Sequence, residues 1–306
     1  MTPFPYSSDN KRYHTYAYFL KRRYGVRTAR VPLDGGFTCP NRDGTLGVGG
    51  CAFCSGRGSG DQIAALPSLE QQYAAGIEKL RGKWPDARYI PYFQAFSGTY
   101  AAAAVLRARY DRALALPGAA GLAVATRADC ISEDIADLLA EYAARTDLTV
   151  ELGLQTIHDR TLRAMNRCET FDQFCSGYER LKKRGICTWV HFINGLPGES
   201  LDDMRESARV LGKMRPDGVK IHALHVLKGT KLAQMDLQWL TREAYVKVTC
   251  DQLESLPPET VIGRLTGDGP AQDVIGPAWT KRKREVLNAI DQELARRDSW
   301  QGKRFG

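Results

Sequence analysis

The sequence predicts an α/β protein built on parallel strands, and two observations support this class. After residue 28, short apolar segments alternate with longer amphipathic ones, as in strands joined by crossover helices. Six such strands, with helices between them, make either a doubly wound sheet or an incomplete barrel. Polar or unusual residues follow each strand. This favours a barrel with one site, because the loops after parallel strands converge on one side.

The elements follow from periodicity and from capping residues. Ser68, Ser132 and Thr170 are residues that commonly precede a helix, and Gly185 is typical of a residue just after one. The predicted strands are 29–33, 89–95, 122–126, 148–154, 188–193 and 219–226, and the helices between them are 68–81, 101–116, 132–144, 170–184 and 200–214. A further helix is predicted near 280–296, which gives a central domain over 29–234, with extensions over 1–28 and 235–306.

The composition is that of an ordinary globular protein. Of 306 residues, 43% are hydrophobic and 25% charged, which excludes a disordered chain and a coiled coil. No apolar run reaches the roughly 18 residues of a membrane helix, and the N-terminus has no apolar signal core. We therefore expect a cytoplasmic protein with no membrane partner.

Basic residues concentrate at the two ends of the chain. The net charge is +8, and residues 1–30 hold seven basic residues and one acidic residue. This asymmetry predicts a polyanionic partner such as nucleic acid, and a solvated, solubilising surface is the alternative. Arg264, beside Asp268 in a Gly-rich turn, is a further candidate for substrate contact, or else part of a salt-bridged turn. The candidates for phosphate contacts are Lys21, Arg22, Arg23, Lys281, Arg282, Lys283 and Arg284.

Three of the eight cysteines share one Gly-rich loop. Cys39, Cys51 and Cys54 have the spacing C-x11-C-x2-C. Three thiolates cannot complete a tetrahedral zinc site, but they can hold three irons of a 4Fe–4S cluster and leave one iron open. Zinc binding with a distant fourth ligand, or three buried thiols, are the alternatives. The other five cysteines are scattered and flanked by apolar or helical sequence, so they are expected to be small buried apolar residues.

Several sequence motifs in and around this loop resemble those of the radical S-adenosylmethionine (SAM) superfamily. They are VPLDGGFTCPNRDG (31–44), YFQAFSGTY (92–100), GLQT (153–156) and RLTGDG (264–269). They are most similar to a bacterial family close to the catalytic subunit of Elongator. The resemblance covers about residues 11–305, although the common C-x3-C-x2-C spacing is replaced. It implies an α/β fold, a partial (β/α)6 TIM-like barrel.

The resemblance also implies cofactors and their ligands. Cys39, Cys51 and Cys54 would hold a 4Fe–4S cluster, and its open iron would bind SAM. Reduction would then yield a 5′-deoxyadenosyl radical. Arg167 would pair with the SAM carboxylate, and Gln155 would reach its sugar or methionine part. Other implied cofactor contacts are Phe53, Ser97, Gly98, Thr99, Thr126 and His191, with loop packing the alternative for Phe53 and a core histidine for His191.

Two further residues are candidates for catalysis. Lys220 and His222 are two residues apart on the predicted sixth strand, so their side chains point to the same face of the sheet. His222 could transfer a proton there. Glu151 shares a parity with Gly153 and Gln155, and we expect it to point inward with a partner.

The Elongator-like resemblance implies an enzyme that acts on the C5 side chain of the tRNA wobble uridine. The implied step converts a carboxymethylaminomethyl group toward an aminomethyl group. A radical enzyme with a small-molecule or protein substrate is one alternative, and a non-enzymatic iron–sulfur or zinc RNA-binding protein is another. The expected partners are tRNA, a flavodoxin- or ferredoxin-type electron donor and a downstream methyltransferase.

Overall fold

The computed structural model describes residues 4–267 and 269–306, so Asp268 lies outside the described residues. The strands are β1 Thr28–Leu33, β2 Arg88–Phe93, β3 Leu122–Thr126, β4 Leu148–Gln155, β5 Cys187–Asn194, β6 Gly218–Ala223, β7 Val226–Leu227, β8 Val261–Arg264 and β9 Val274–Gly276. The helices are α1 Tyr16–Tyr24, α2 Leu69–Arg81, α3 Ala103–Leu114, α4 Glu133–Arg145, α5 Asp159–Ala164, α6 Phe171–Lys183, α7 Leu201–Met214, α8 Arg242–Ser255 and α9 Lys283–Arg296.

Seven strands form one sheet in the order β1-β2-β3-β4-β5-β6-β8. The pairs β1–β2, β2–β3, β3–β4 and β6–β8 are parallel, with Thr28 opposite Arg88 and Leu122 opposite Leu148. The predicted α/β class is confirmed. The seventh strand, β8, was not predicted. The predicted strand 219–226 is wrong at its end, because β6 stops at Ala223 and β7 pairs separately with β9.

The predicted helix starts are confirmed by their caps. The hydroxyls of Ser68, Ser132 and Thr170 each accept a hydrogen bond from a backbone N–H of the first turn. Thr170 also forms a reciprocal capping box with Gln173. Gly185 follows α6 with a φ of 66°, as expected of a residue that ends a helix.

The chain divides into two compact units. We call residues 20–154 and 166–189 the cysteine unit, because they include the cysteine loop. Its core contains the fully buried Phe93, Tyr110 and Tyr142. Tyr110 and Tyr142 pack edge to face, with ring centroids 5.3 Å apart.

The described residues of the second unit, which we call the histidine unit, are 4–19, 155–165, 190–267 and 269–306. Its α8 contributes buried residues on several sides, including Tyr245, Val248 and Leu253. The two ends of the chain meet within this unit. The His14 amide donates to Gln301 Oε1 at 2.9 Å, and the Gln301 amide donates to the Arg12 carbonyl at 2.8 Å.

Candidate functional site

The cysteine loop follows β1 and folds back on itself through backbone hydrogen bonds. The Arg42 amide donates to the Cys39 carbonyl at 2.8 Å, and the Cys54 amide donates to the Cys51 carbonyl at 3.0 Å. Gly50 has a φ of 77°, a conformation that most residues avoid. Cys51 is buried, whereas Cys39 and Cys54 are partly exposed.

The sulfur of Cys51 lies among hydrogen-bond donors. Asn41 Nδ2 is 3.5 Å from it, and Arg167 Nη1 is 3.8 Å from it. The hydrogen bond from the Cys54 thiol lowers the pKa of Cys51, and the charges of Arg167 and Arg127 lower it further. A thiolate is the form that binds iron, and the charges of the two guanidinium groups favour a thiolate at Cys51.

Arg167 belongs to a buried charge network. Its Nη2 lies 2.7 Å from Glu169 Oε2, and both side chains are almost fully buried. Arg127 donates to the Arg167 carbonyl at 2.9 Å and pairs with Asp129. Arg167 Nε is buried and has no hydrogen-bond partner among the described residues. The guanidinium therefore keeps one donor for a further polar group.

The turn after β2 lies beside the start of the cysteine loop. The Ser97 amide donates to the Thr38 carbonyl at 3.2 Å. The Ser97 hydroxyl is buried, with no partner among residues 4–267 and 269–306. Gly98 packs so closely against β3 that an added Cβ would lie 2.9 Å from the Ala125 carbonyl oxygen. The Thr99 and Thr126 hydroxyls are 2.6 Å apart and bonded to each other.

The remaining predicted cofactor residues lie at strand ends or within the loop. Phe53 is half-buried in the cysteine loop. Gln155 is the last residue of β4 and has a φ of 76°, a left-handed conformation uncommon outside glycine. His191 lies on β5, with its ring centroid 5.4 Å from that of His222. Their contacts with SAM stay a prediction.

Glu151 is fully buried in β4, and the prediction that it has partners is confirmed. It forms an ion pair with Arg30 and accepts a hydrogen bond from the Tyr92 hydroxyl. The Arg30 guanidinium also lies against the rings of Tyr92 and Trp189. These contacts use both carboxylate oxygens, and the catalytic role of Glu151 stays a prediction.

The histidine unit gathers basic side chains on β5, β6 and β8. Lys220 is 6% exposed and lies opposite Arg264 in the parallel pair of β6 and β8. His222 lies two residues further along β6, on the same face as Lys220. His225 lies beyond the end of β6, and its Nδ1 is 3.2 Å from the Ala223 carbonyl oxygen.

The predicted phosphate contacts lie on the surface. Lys21, Arg22 and Arg23 are exposed at the end of α1, but Arg23 forms an ion pair with Asp147. Lys281, Arg282 and Arg284 are exposed around the start of α9, and Lys283 is partly exposed there. None of the helices in the described part of the chain has the length and apolar character needed to cross a membrane.

Sequence reasoning missed several polar residues of this site. Asn41 binds the Asn166 carbonyl as well as Cys51, and Asp129 and Glu169 pair with Arg127 and Arg167. Asn41 lies in the motif CPNRDG, two residues after Cys39. Its position in this motif was the sequence feature that could have marked it as a site residue.

Comparison with known proteins identifies the family. The model of the radical SAM superfamily matches residues 39–211, and a radical SAM C-terminal domain matches 216–296. YtqA of Bacillus subtilis is 47% identical, covering 99% of this chain and 96% of YtqA. A tRNA uridine(34) acetyltransferase of Methanocaldococcus jannaschii is 30% identical, over 50% of this chain and 29% of that protein.

The fold agrees with this assignment. The structure of an archaeal Elp3 from Methanocaldococcus infernus has a TM-score of 0.66 at 16% identity, covering 90% of this chain and 64% of that one. The chain belongs to the radical SAM superfamily. It is therefore an enzyme that uses a 4Fe–4S cluster and SAM, and the predicted partial-barrel class is confirmed.

The residues present suit these cofactors. Three thiols lie on one loop, and the environment of Cys51 stabilises a thiolate. The buried Ser97 hydroxyl and Arg167 Nε have no protein partner among the described residues, so both can bind polar groups of a ligand. A cluster held there supplies the electron that cleaves SAM.

Proposed function

We propose that this radical SAM enzyme acts on tRNA and converts the carboxymethylaminomethyl group at C5 of the wobble uridine to an aminomethyl group. The observation that carries the proposal is the similarity to the tRNA uridine(34) acetyltransferase, whose name refers to the same nucleotide position. The exposed basic residues at the ends of α1 and at the start of α9 support an RNA partner.

The proposed reaction is an oxidative removal of the carboxymethyl group. The methylene between the nitrogen and the carboxylate loses a hydrogen atom and one further electron. Water then adds to this carbon and the C–N bond breaks, releasing the aminomethyl nucleoside and glyoxylate. SAM accepts the two electrons and one proton as it becomes methionine and 5′-deoxyadenosine, and a second proton is released to solvent.

The proposal also includes the cellular partners of the enzyme. We expect cytoplasmic tRNA as substrate and a flavodoxin- or ferredoxin-type protein as electron donor. A methyltransferase that acts on the aminomethyl product would follow in sequence. Cys39, Cys51 and Cys54 are the proposed cluster ligands.

The test combines cells with purified enzyme. Nucleoside mass spectrometry of tRNA from cells lacking the protein should show carboxymethylaminomethyl uridine in excess and its downstream product lost. Purified enzyme should form 5′-deoxyadenosine faster with this tRNA than with tRNA lacking the modification. Equal rates with both RNAs, or an unchanged nucleoside profile, would count against a tRNA substrate and favour a small-molecule or protein substrate.

A further inference from the structure

The basic cluster of the histidine unit lies on one face of two neighbouring strands. Val219, Ile221 and Ala223 of β6 are at most 1% exposed. Alternation along the strand places Lys220 and His222 on the opposite face. Arg264 is the register partner of Lys220 on β8. Three basic side chains from two strands therefore converge on one small area.

His222 is held in a position where an anion would be stabilised. Its Nε2 is enclosed and has no hydrogen-bond partner among the described residues. Burial lowers the pKa of His222 well below its usual range, and the charges of Arg264, His191 and Lys220 lower it further. A neutral imidazole beside lysine and arginine can donate or accept a hydrogen bond without adding to their repulsion.

We propose that Lys220, His222 and Arg264 bind a carboxylate group of the substrate. The inference rests on the proposed function, in which the carboxymethyl group carries that carboxylate. Lys220 is 6% exposed, so the ligand must be small enough to enter an enclosed area. A terminal carboxylate suits this area better than an RNA phosphodiester, which carries a bulky ester group on each side. Arginine and lysine bind carboxylates through charge-assisted hydrogen bonds.

The first experiment observes the imidazole of His222 by NMR in the reconstituted enzyme. The probes are free 5-carboxymethylaminomethyluridine, free 5-aminomethyluridine and inorganic phosphate, and His222→Asn identifies the signal. We expect the His222 signal to move with the carboxylated nucleoside and to stay in place with the aminomethyl nucleoside. A signal that moves only with phosphate, or with both nucleosides alike, would overturn the carboxylate site.

The second experiment compares turnover of tRNA that carries the carboxymethylaminomethyl group. Lys220→Met should lower kcat/KM by roughly 10- to 100-fold, the effect of losing one charge-assisted hydrogen bond. Lys220→Arg should keep most of the activity, because it keeps the charge. Lys213→Met, at an exposed lysine of α7, is the matched control and should equal the parent enzyme.

These experiments distinguish failure of the carboxylate site from failure of the proposed function. If the parent enzyme converts this tRNA but Lys220→Met folds and converts it equally well, the carboxylate site is wrong and the proposed function stands. If the His222 signal responds to the carboxylated nucleoside but no tRNA is converted, the carboxylate site stands and the proposed reaction is wrong. If Lys220→Met does not fold, the NMR titration of the parent enzyme decides whether the carboxylate site is correct.

Discussion

Arg167 Nη1 lies 3.8 Å from the sulfur of Cys51, while Nη2 of the same guanidinium lies 2.7 Å from Glu169. One buried cation therefore interacts with both a proposed cluster ligand and a buried carboxylate. This link joins the cysteine loop to the segment after α5, which is 116 residues away in sequence. Arg167 therefore couples the charge of the cysteine loop to that of Glu169.

Arg167→Met should destabilise the protein by about 3–5 kcal/mol. The buried Glu169 carboxylate would lose its 2.7 Å ion pair with Arg167 and keep the longer contact, 4.0 Å, with Arg127. The double variant Arg167→Met with Glu169→Gln should recover at least ~1 kcal/mol of that loss. Urea unfolding of four proteins, namely the parent, Arg167→Met, Glu169→Gln and the double variant, measures both effects. Losses that simply add would contradict the coupling.

Cys51→Ala should abolish iron binding and SAM cleavage. Cys51 is buried within the loop that also holds Cys54, and two thiolates cannot retain the cluster. Iron content and 5′-deoxyadenosine formation are the two measurements. Cys175→Ala, on α6 and outside the loop, should match the parent protein in both. Full iron content in Cys51→Ala would exclude this thiol as a ligand.

Ser97→Ala and Thr99→Val should differ in stability and in SAM affinity. The Ser97 hydroxyl has no partner in the described structure, so its removal should leave the free energy of unfolding unchanged or slightly higher. Thr99→Val loses hydrogen bonds to Thr126 and to the Cys130 carbonyl and should cost about 1 kcal/mol. Calorimetry should show Ser97→Ala binding SAM about fivefold more weakly. Unchanged SAM affinity would leave the hydroxyl without a ligand role.

Arg30→Met should cost about 3–5 kcal/mol, because the fully buried Glu151 carboxylate would lose its ion pair with Arg30. Glu151→Gln should cost less, since an amide accepts the Tyr92 hydrogen bond without a charge. Thermal unfolding compares the two variants. If Glu151 is catalytic, Glu151→Gln will also lose tRNA turnover beyond its loss of stability. Turnover that follows stability alone would assign Glu151 a structural role.

Glu293 on α9 should make stability depend on pH in the acid range. Hydrogen bonds from Arg296 and Arg297 lower the pKa of Glu293 from 4.5 to about 2. A lowered folded-state pKa adds stability above pH 4.5 that is lost as pH falls toward 2. Glu293→Gln should flatten the unfolding free energy over this window. Glu206→Gln, at an exposed carboxylate of α7, is the control. An equal slope in Glu293→Gln and the parent would contradict the prediction.

Residues close to each boundary were sufficient to predict most of the alternating strands and helices. Capping hydroxyls and Gly185 marked the ends of helices, because these residues satisfy backbone groups within a few positions. The helix α8 was missed because buried residues such as Val246, Val248 and Thr249 leave no single apolar stripe. The end of β6 at Ala223 was not predicted, because the apolar stretch continues to Val226 and contains no residue type typical of a turn.

The cysteines of the candidate site were visible in sequence because their spacing is local. Its charge network was not visible. Arg127 pairs with Asp129 and Arg167 pairs with Glu169 within two positions, but the contacts that join these two pairs span 40 positions of sequence. Only the folded chain shows that these side chains surround Arg167. The unpartnered atoms of Ser97 and His222 are likewise a property of burial, which no local motif encodes.

The meeting of the two chain ends has a consequence for the order of biosynthesis. The hydrogen bonds between Arg12, His14 and Gln301 cannot form until Gln301 has been translated. The residues of the cysteine unit, by contrast, all precede Val190, so this unit can begin to collapse on the ribosome while later residues are still being translated. The iron-binding loop would then be shaped well before the histidine unit closes.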